Sequence, residues 1–534
     1  MAASQPFGIS CKGGLNTNLN QLEMLSQPGL ATKLTNFEVD PDGGYRRING
    51  YTAFGDTRPN SANKILGMAV YADGIIVCSG DGIFFSQDGE TTWLQINRAS
   101  VHSNGDNYTT FTGRSMDART GQLQCTFAIF EGNTDYGEIV ITDGVNKPFI
   151  FSMTGTGGLT TRTFFAKEIT VNSTVAPSVC AVHDHHLVVA GASAAKNTIY
   201  YSHNFEPDNF TGTGAGNISL SDQVIGLKSF RDDLIIFCRN SIHKLVNIND
   251  SSNIAVVPIT QNVGCLSSHS IQEIGGDLVF LSPDGIRSVA GTSRIGDVEL
   301  GSVSRQIQSI ISNIALSVNS FTITSAVLRS KSQYRLFYSS DNQSSVSSKG
   351  IIGTLTPNGF EWSETLGIQA VGFTTGFDNN GIEQEYHGDN AGYVYNHDTG
   401  NTFTASGSAF NINAIYQTPN YDFGDIGTRK TLHYAKISIT PEGEVQPSLR
   451  VRYDYEDTDI PQPADYVLDS VPLPALFGTA IFATAIFGAS NDPMLRQAIQ
   501  GSGSVCNFRI SSSDQNAPYA INGLYINYVP SGRR

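Results

Sequence analysis

The chain has 534 residues with a formal net charge of −15, and only 15% of its residues are charged. Its 54 glycines and its shortage of helix-forming residues exclude a helical bundle or coiled coil and favour a large all-β protein. With 40% hydrophobic residues the chain can bury several cores, which excludes disorder, and its acidic balance excludes the basic surface typical of nucleic-acid binding.

The first 60 residues contain few buried runs and differ in character from the rest of the chain. We interpret residues 1–60 as an extended N-terminal arm that packs on a neighbouring subunit or along the propeller predicted below. The N terminus lacks a basic region followed by an apolar stretch, so we predict no signal peptide.

Between residues 61 and 400, hairpin patterns recur, each with a short apolar run, a turn of Gly, Asp or Asn, and a second apolar run. The seven hairpins begin at Asp73, Gly137, Asp184, Arg231, Gly276, Tyr334 and Glu383. Successive starts lie 45 to 64 residues apart, and a spacing of this kind is typical of a propeller with one four-stranded sheet per blade. We therefore predict a β-propeller of six or seven blades over residues 61–400.

One segment inside this region has a helical rather than a strand pattern. Near residues 303–316, an apolar stripe is formed by Ile307, Ile310, Ile311 and Ile314. We expect an inserted helix that packs on the outside of the blades.

After residue 401 the alternation of polar and apolar residues continues, but the segments are spaced more widely. This pattern favours a separate C-terminal β-sandwich over residues 401–534. Within it, residues 470–491 carry no charge and are long enough to cross a membrane, but Pro and Gly interrupt them. We favour packing inside the sandwich or against a neighbouring subunit, with Phe477, Phe482 and Phe487 as candidate docking residues.

Candidate chemical groups are few. The histidines at 183, 185 and 186 could bind a metal but lack a third ligand at a recognised spacing, so we interpret them as a polar turn. The acidic run 454–459 lacks the glycine of a calcium loop, and we interpret it as a solvated strand edge.

The carboxylate pairs Asp232–Asp233 and Glu383–Glu385 could line a propeller channel in a glycosidase. No nucleophile elbow or nucleotide loop is present, so we predict no enzyme activity, catalytic residue, metal or other cofactor.

The seven cysteines are dispersed, without a C-x-x-C pair. This distribution is typical of neither a disulfide framework nor a zinc site. We predict that most of them are small core residues in a protein that is assembled in a reducing cytoplasm.

The arm and the hairpins together resemble the structural proteins of bacteriophage tails. The resemblance is carried in the arm by a pattern that comprises Gly13, Gly14, Asn36, Gly44, Arg46, Arg47 and Gly50. The central hairpins from residue 225 to 289 resemble the propeller of tail nozzle proteins in short-tailed phages, which also carry an inserted helix. The C-terminal run resembles the end of phage virion proteins of the same kind.

This resemblance implies a structural subunit of a virion tail, assembled in the host bacterial cytoplasm. It implies a ring, with six subunits expected, that continues the DNA ejection channel below the portal and adaptor, and contacts with the adaptor and other tail or fibre proteins. Double-stranded DNA would pass through the ring without specific binding. We expect Tyr45, Arg46 and Arg47 to dock the arm onto a neighbour, the arginines through ion pairs. The alternatives are a baseplate or tail-fibre attachment subunit, or a propeller that binds host glycans at the cell surface.

Overall fold

The computed structural model describes residues 4–533, apart from 42, 56, 81, 88–91, 97–123, 132–135, 156, 159–161, 173–174, 290–301, 342, 379–380 and 469–493. The arm contains five short strands and one helical turn. They are β1 (Gln5–Ser10), α1 (Gln21–Met24), β2 (Lys33–Thr35), β3 (Phe37–Val39), β4 (Tyr45–Arg47) and β5 (Tyr51–Ala53).

Seven antiparallel sheets follow in chain order and form the propeller. Blade 1 contains β6 (Ile65–Tyr71), β7 (Gly74–Ser79), β8 (Gly82–Gln87) and β9 (Leu94–Gln95). Blade 2 contains β10 (Thr126–Phe130), β11 (Glu138–Thr142), β12 (Phe149–Thr154) and β13 (Thr163–Glu168). Blade 3 contains β14 (Val179–His183), β15 (His186–Ala190), β16 (Thr198–Tyr201) and β17 (Gly216–Ser219). Blade 4 contains β18 (Val224–Phe230), β19 (Asp233–Cys238), β20 (Ile242–Val246) and β21 (Ala255–Thr260).

The last three blades differ in the number of their strands and in where the fourth strand comes from. Blade 5 has three strands among the described residues, namely β22 (Gln272–Ile274), β23 (Asp277–Ser282) and β24 (Gly285–Ser288). Blade 6 contains β25 (Thr322–Leu328), β26 (Gln333–Ser339), β27 (Lys349–Thr356) and β28 (Gly359–Leu366). Blade 7 contains β29 (Gly372–Phe377), β30 (Glu383–Gly388) and β31 (Val394–His397), and its fourth strand is β5 from the arm.

The prediction of an all-β propeller is confirmed; among the described residues, six blades have four strands and blade 5 has three. The seven hairpins predicted from the sequence are the second and third strands of the seven sheets. In blades 1 to 6 the second strand is buried at every residue or at all but one, because it lies between the layers of apolar side chains that separate neighbouring blades. That is why its apolar run is visible in the sequence.

The arm closes the ring of blades. Strand β5 pairs antiparallel with β31, and Ala53 lies opposite Tyr395 in that pairing. Tyr51 stacks on Phe403 and contacts His387 and Tyr395 edge-on, so that this strand also brings an aromatic side chain into the core of blade 7. The last blade therefore combines a strand from the arm, which precedes blade 1, with the last three strands of the propeller. This pairing ties the two ends of the propeller together.

The inserted helix lies where the isoleucine stripe predicts it. A 3-10 turn (Arg305–Ile307) leads into α2 (Gln308–Leu316), with Ile307, Ile311 and Ile314 buried. These side chains pack with residues of blades 5 and 6, which places the helix on the outside of the blades as expected.

The C-terminal strands are β32 (Phe403–Ala405), β33 (Ser408–Phe410), β34 (Ile412–Gln417), β35 (Thr428–Pro441), β36 (Ser448–Tyr453), β37 (Tyr466–Val467), β38 (Met494–Ala498), β39 (Ser502–Gly503), β40 (Cys506–Asp514) and β41 (Tyr519–Arg533). Of these strands, β32 and β33 extend the sheet of blade 7 beyond β5, and the others form two sheets that pack face to face. One sheet has the order β2-β34-β40-β36-β37, and the other has the order β3-β4-β41-β35-β38 with β1 on β41 and β39 on β35. Four arm strands thus belong to the sandwich, and one core cluster extends between its sheets.

The propeller and the sandwich share a continuous sheet. Strand β2 pairs with β28 of blade 6 on one side and with β34 of the sandwich on the other, giving a nine-stranded sheet. The arm is therefore an integral part of both domains. The arm was predicted to pack on a neighbouring subunit or along the propeller. The structure shows it packed along the propeller and the sandwich of its own chain.

Candidate functional site

A cavity with a volume of about 540 Å³ lies on the axis of the propeller. Its wall is formed by the innermost strand of each of the seven blades, β6, β10, β14, β18, β22, β25 and β29. The wall is mixed: apolar side chains such as Val70, Val182 and Ala326 are interspersed with polar and charged groups, which contribute the larger share of its surface. Its volume is within the roughly 300–1,000 Å³ range of small-molecule sites.

One end of this axial cavity is crossed by Gln124. Its side-chain amide donates hydrogen bonds to the backbone carbonyls of Ile323 (2.8 Å) and Val371 (3.1 Å). Ile323 lies near the start of the inner strand of blade 6, and Val371 directly precedes the inner strand of blade 7. Gln124 itself precedes the inner strand of blade 2, so its side chain spans the axis. The cavity is thereby narrowed at the end where the inner strands begin.

Lys228 on β18 brings a positive charge to the cavity wall. Among the described residues its ammonium group forms no hydrogen bond and no ion pair. Burial lowers the pKa of Lys228; the carboxylate of Glu273 opposes this effect, and the guanidinium of Arg329 adds to it. His269, also on the wall, has its pKa lowered to about 4 by burial, so it is neutral at pH 7.

The carboxylates that the sequence suggested for a propeller channel are not in the axial cavity. Glu383 and Glu385 lie on β30, the second strand of blade 7, and line a separate cavity of about 330 Å³. The Glu383 carboxylate accepts hydrogen bonds from the backbone N–H groups of Arg329 and Ser330, which holds a turn of blade 6. Asp232 and Asp233 lie at the β18–β19 turn, where Asp233 pairs with Lys244. Neither pair therefore lines the axial cavity.

Glu385 in this smaller cavity has a raised pKa. Burial, aided by the negative charge of Asp398, raises its pKa to about 7, while Arg335 and Lys331 act in the opposite direction. A carboxyl group with such a pKa is half-protonated at neutral pH and gives the cavity a pH-dependent charge.

Beside this cavity lies a buried ion network that joins the arm to blades 6 and 7. Arg335 is 1% exposed and donates to Glu38 of the arm (2.9 Å) and to Asp398 (3.2 Å). Lys331 also pairs with both carboxylates. Glu38 in addition accepts from Arg46 at 2.9 Å. Because every charge has an opposite partner, the network can be buried without an isolated ion.

The residues of the arm motif form the joint between the two domains. The side-chain amide of Asn36 donates to the carbonyls of Leu366 in the propeller and Asn413 in the sandwich, both at 2.9 Å, and its oxygen accepts from the N–H of Leu366. Gly14 has φ +70°, and a Cβ there would lie 2.8 Å from the Trp362 backbone. At Gly50 a Cβ would lie 1.9 Å from the carbonyl oxygen of Thr402. These positions are constrained by close packing within one chain.

The predicted docking residues of the arm have intrachain partners. Tyr45 is buried and donates to the carbonyl of Gly29, and Arg47, with no exposed side-chain surface, pairs with Asp514 at 2.7 Å. Arg46 pairs with Glu38 and with Glu442. Both arginines thus form ion pairs within the chain, whereas the predicted pairs were with a neighbour; Tyr45 and Arg47 have almost no exposed atoms for such a contact. Phe477, Phe482 and Phe487 lie outside the described residues, so their docking role stays a prediction.

The remaining polar clusters act in local structure. His183 bonds Ser229, and His186 bonds the carbonyl of Ser202 and the side chain of Asn249. Asp454 accepts from the N–H groups of Ser504 and Val505. Within the described ranges no group of three His, Cys, Asp or Glu side chains is placed to hold a metal ion.

All seven cysteines are buried and free. Burial raises the pKa of Cys11, Cys180, Cys238 and Cys265 to about 12. These thiols are therefore protonated at neutral pH, consistent with the prediction of small core residues.

None of the described helices has the length and hydropathy needed to span a membrane.

Sequence comparison finds no matching family model and no matching curated protein. Structural comparison finds similarity to an extracellular domain from B. thetaiotaomicron, with a TM-score of 0.35 and 11% identity, covering 78% of this chain and 44% of that one. PorZ, a surface component of the type-IX secretion system of Porphyromonas gingivalis, has a TM-score of 0.34 and 10% identity over 66% of this chain and 38% of that one. The Pan2 WD40 domain of Neurospora crassa has a TM-score of 0.33 and 10% identity, with 66% and 95% covered.

Proposed function

We propose that this chain is a structural subunit of a bacteriophage tail, and that it forms a ring, expected to be hexameric, which continues the DNA ejection channel. The observation that carries the proposal is the way the arm with its phage-like motif is built into the molecule. Asn36, the arm glycines and β2 fix the propeller to the sandwich, so that the motif encodes a rigid two-domain body. A closed ring needs such bodies, because each subunit presents two different faces in a fixed relative orientation.

The charge distribution supports a conduit that does not retain DNA. Many of the cationic side chains are engaged in ion pairs within the chain, as for Arg47, Arg162 and Arg335. Tight DNA binding depends on free Lys and Arg that neutralise phosphates, whereas the net charge here is −15. A net acidic subunit with few free cations therefore favours passage of a duplex over its retention.

The conduit in this proposal is the space enclosed by the ring of subunits. The propeller's own axial cavity has the volume of a small-molecule site and is crossed by Gln124, so it cannot pass a duplex. The ring contacts are assigned to exposed surfaces and to the uncharged segment 470–491, which joins edge strand β37 of one sandwich sheet to edge strand β38 of the other.

Electron microscopy of particles produced from the genome that encodes this chain tests the proposal. Gold-labelled antibody raised against the chain should mark the tail, at the position below the head. Particles without label, or with label on the head alone, would overturn it. Label confined to a distal baseplate or to fibre attachment points would favour the alternative tail component.

The assembly surface can be tested separately on the purified chain. Replacing Phe477, Phe482 and Phe487 together with Ser should abolish the ring and leave a folded monomer. A matched control replaces the exposed Leu22, Leu316 and Val346, which are 75%, 86% and 58% exposed elsewhere on the surface, and should leave the ring intact. Rings formed equally by both variants would exclude the segment as a contact.

A further inference from the structure

The axial cavity combines apolar side chains with one cation, Lys228, that forms no hydrogen bond and no ion pair among the described residues. Apolar surface in the cavity includes Val70, Ile129, Val182 and Phe127, contributed by blades 1 to 3. The ammonium group of Lys228, by contrast, lies in blade 4 and lacks a hydrogen-bond or ion-pair partner among the described residues. We propose that this cavity binds a small organic anion, with Lys228 as counter-ion to a carboxylate and the apolar side chains of the wall in contact with the rest of the molecule.

The position of Lys228 argues against a purely structural role. The other lysine on the same blade, Lys244, lies 2.8 Å from the Asp233 carboxylate and is satisfied within the blade. Lys228 is held away from bulk water without such a partner, which is unfavourable for a charged group. A bound carboxylate would supply the missing partner, and the pKa of Lys228, now lowered by burial, would rise on binding.

The charged groups around Lys228 define what the cavity can accept. Arg329 also lines it, but its guanidinium is engaged by Glu383 at 3.7 Å and lies over the ring of Phe377. Glu273 lines the same wall, is exposed, and opposes a second negative charge. His269 is neutral at pH 7. One unpaired cation with one nearby carboxylate favours a monoanion over a polyanion such as DNA or a polyphosphate.

Hydrogen-bonding groups on the wall would orient the ligand. Ser268 and Thr324 lie on the wall, and the amide of Gln124 is at its narrow end. Because Gln124 donates to two carbonyls across the axis, a ligand enters from the opposite end and stops at this side chain. The cavity thus has the Gln124 amide at one end, a wall that combines apolar and hydroxyl side chains, and a lateral cation.

Calorimetric titration of the purified full-length chain with benzoate, acetate and inorganic phosphate tests the proposal, with benzyl alcohol as the uncharged probe. Benzoate should bind at one site per chain and at least tenfold more tightly than acetate, phosphate or benzyl alcohol. Lys228→Met should weaken benzoate at least tenfold. Lys244→Met, which removes a lysine of the same blade outside the cavity, should leave benzoate affinity unchanged.

A second measurement uses the unmodified protein and so does not depend on how the variants fold. Reductive methylation should modify Lys228 at least fivefold more slowly when benzoate is present, while Lys244 reacts at the same rate. If benzoate neither binds nor protects Lys228, or binds equally well to Lys228→Met, the assignment is overturned. Neither result depends on the oligomeric state, so a failure here is distinguishable from a failure of the tail proposal.

Discussion

Replacing Arg335 with Met should destabilise the whole molecule, because this side chain holds the arm against blades 6 and 7. Arg335 is 1% exposed and contacts the carboxylates of Glu38 and Asp398 at 2.9 and 3.2 Å. Breaking a buried ion pair by removing one partner costs about 3–5 kcal/mol, because the remaining charge stays buried. Lys331 still pairs with both carboxylates, so we expect the lower end, about 3 kcal/mol.

Urea denaturation at pH 7, followed by the fluorescence of the fully buried Trp362, measures this loss of unfolding free energy. The matched control is Arg450→Met, which removes a partly exposed pair with Glu456 at 3.4 Å and should cost less than about 1 kcal/mol. The double variant Glu38→Gln/Arg335→Met should lose less than the sum of the two single variants, because the two groups interact directly. A cost for Arg335→Met no larger than that of the control would refute the role assigned to the network.

Three further predictions follow from the buried groups and the arm. Removal of residues 1–60 deletes β5 and the four sandwich strands β1–β4, so the remaining chain should lose its cooperative urea transition and its near-ultraviolet circular dichroism; a truncated chain with an unchanged transition would contradict the arm's place in the fold. The raised pKa of Glu385 means that the folded state binds its proton more tightly, so this group's contribution to stability falls as the pH rises from 4.5 to about 7. Glu385→Gln should therefore stabilise the protein at pH 8, by up to about 3 kcal/mol, and not at pH 4, and an equal effect at both values would argue against the shift. Because all seven cysteines are buried, none should react with Ellman's reagent in the native protein and all seven should react in denaturant; rapid labelling of any native thiol would contradict their placement.

The propeller was predictable from the sequence because its signal is local. In each blade the second and third strands form a hairpin whose apolar run and turn are contiguous, as in the runs that follow Asp73 and Arg231. The isoleucine stripe of α2 was visible for the same reason, since Ile307, Ile311 and Ile314 are close in sequence.

The features that depend on distant pairing were not predictable. Strand β5 is three residues long, and nothing within it indicates a pairing with β31, more than 300 residues away. Glu38 and Arg335 are ordinary charged residues in the sequence and become a buried pair only when the arm is placed. Lys228 and Gln124 likewise acquire their positions only when seven inner strands converge on one axis.

The ring is the central claim, and native mass spectrometry of the purified full-length chain over a range of concentrations tests it most directly. The proposed tail subunit should form a discrete species of six times the mass of one chain, and the same preparation should show closed rings in electron-microscopic class averages. A chain that remains monomeric at every concentration, or that forms only open-ended aggregates, would contradict the account.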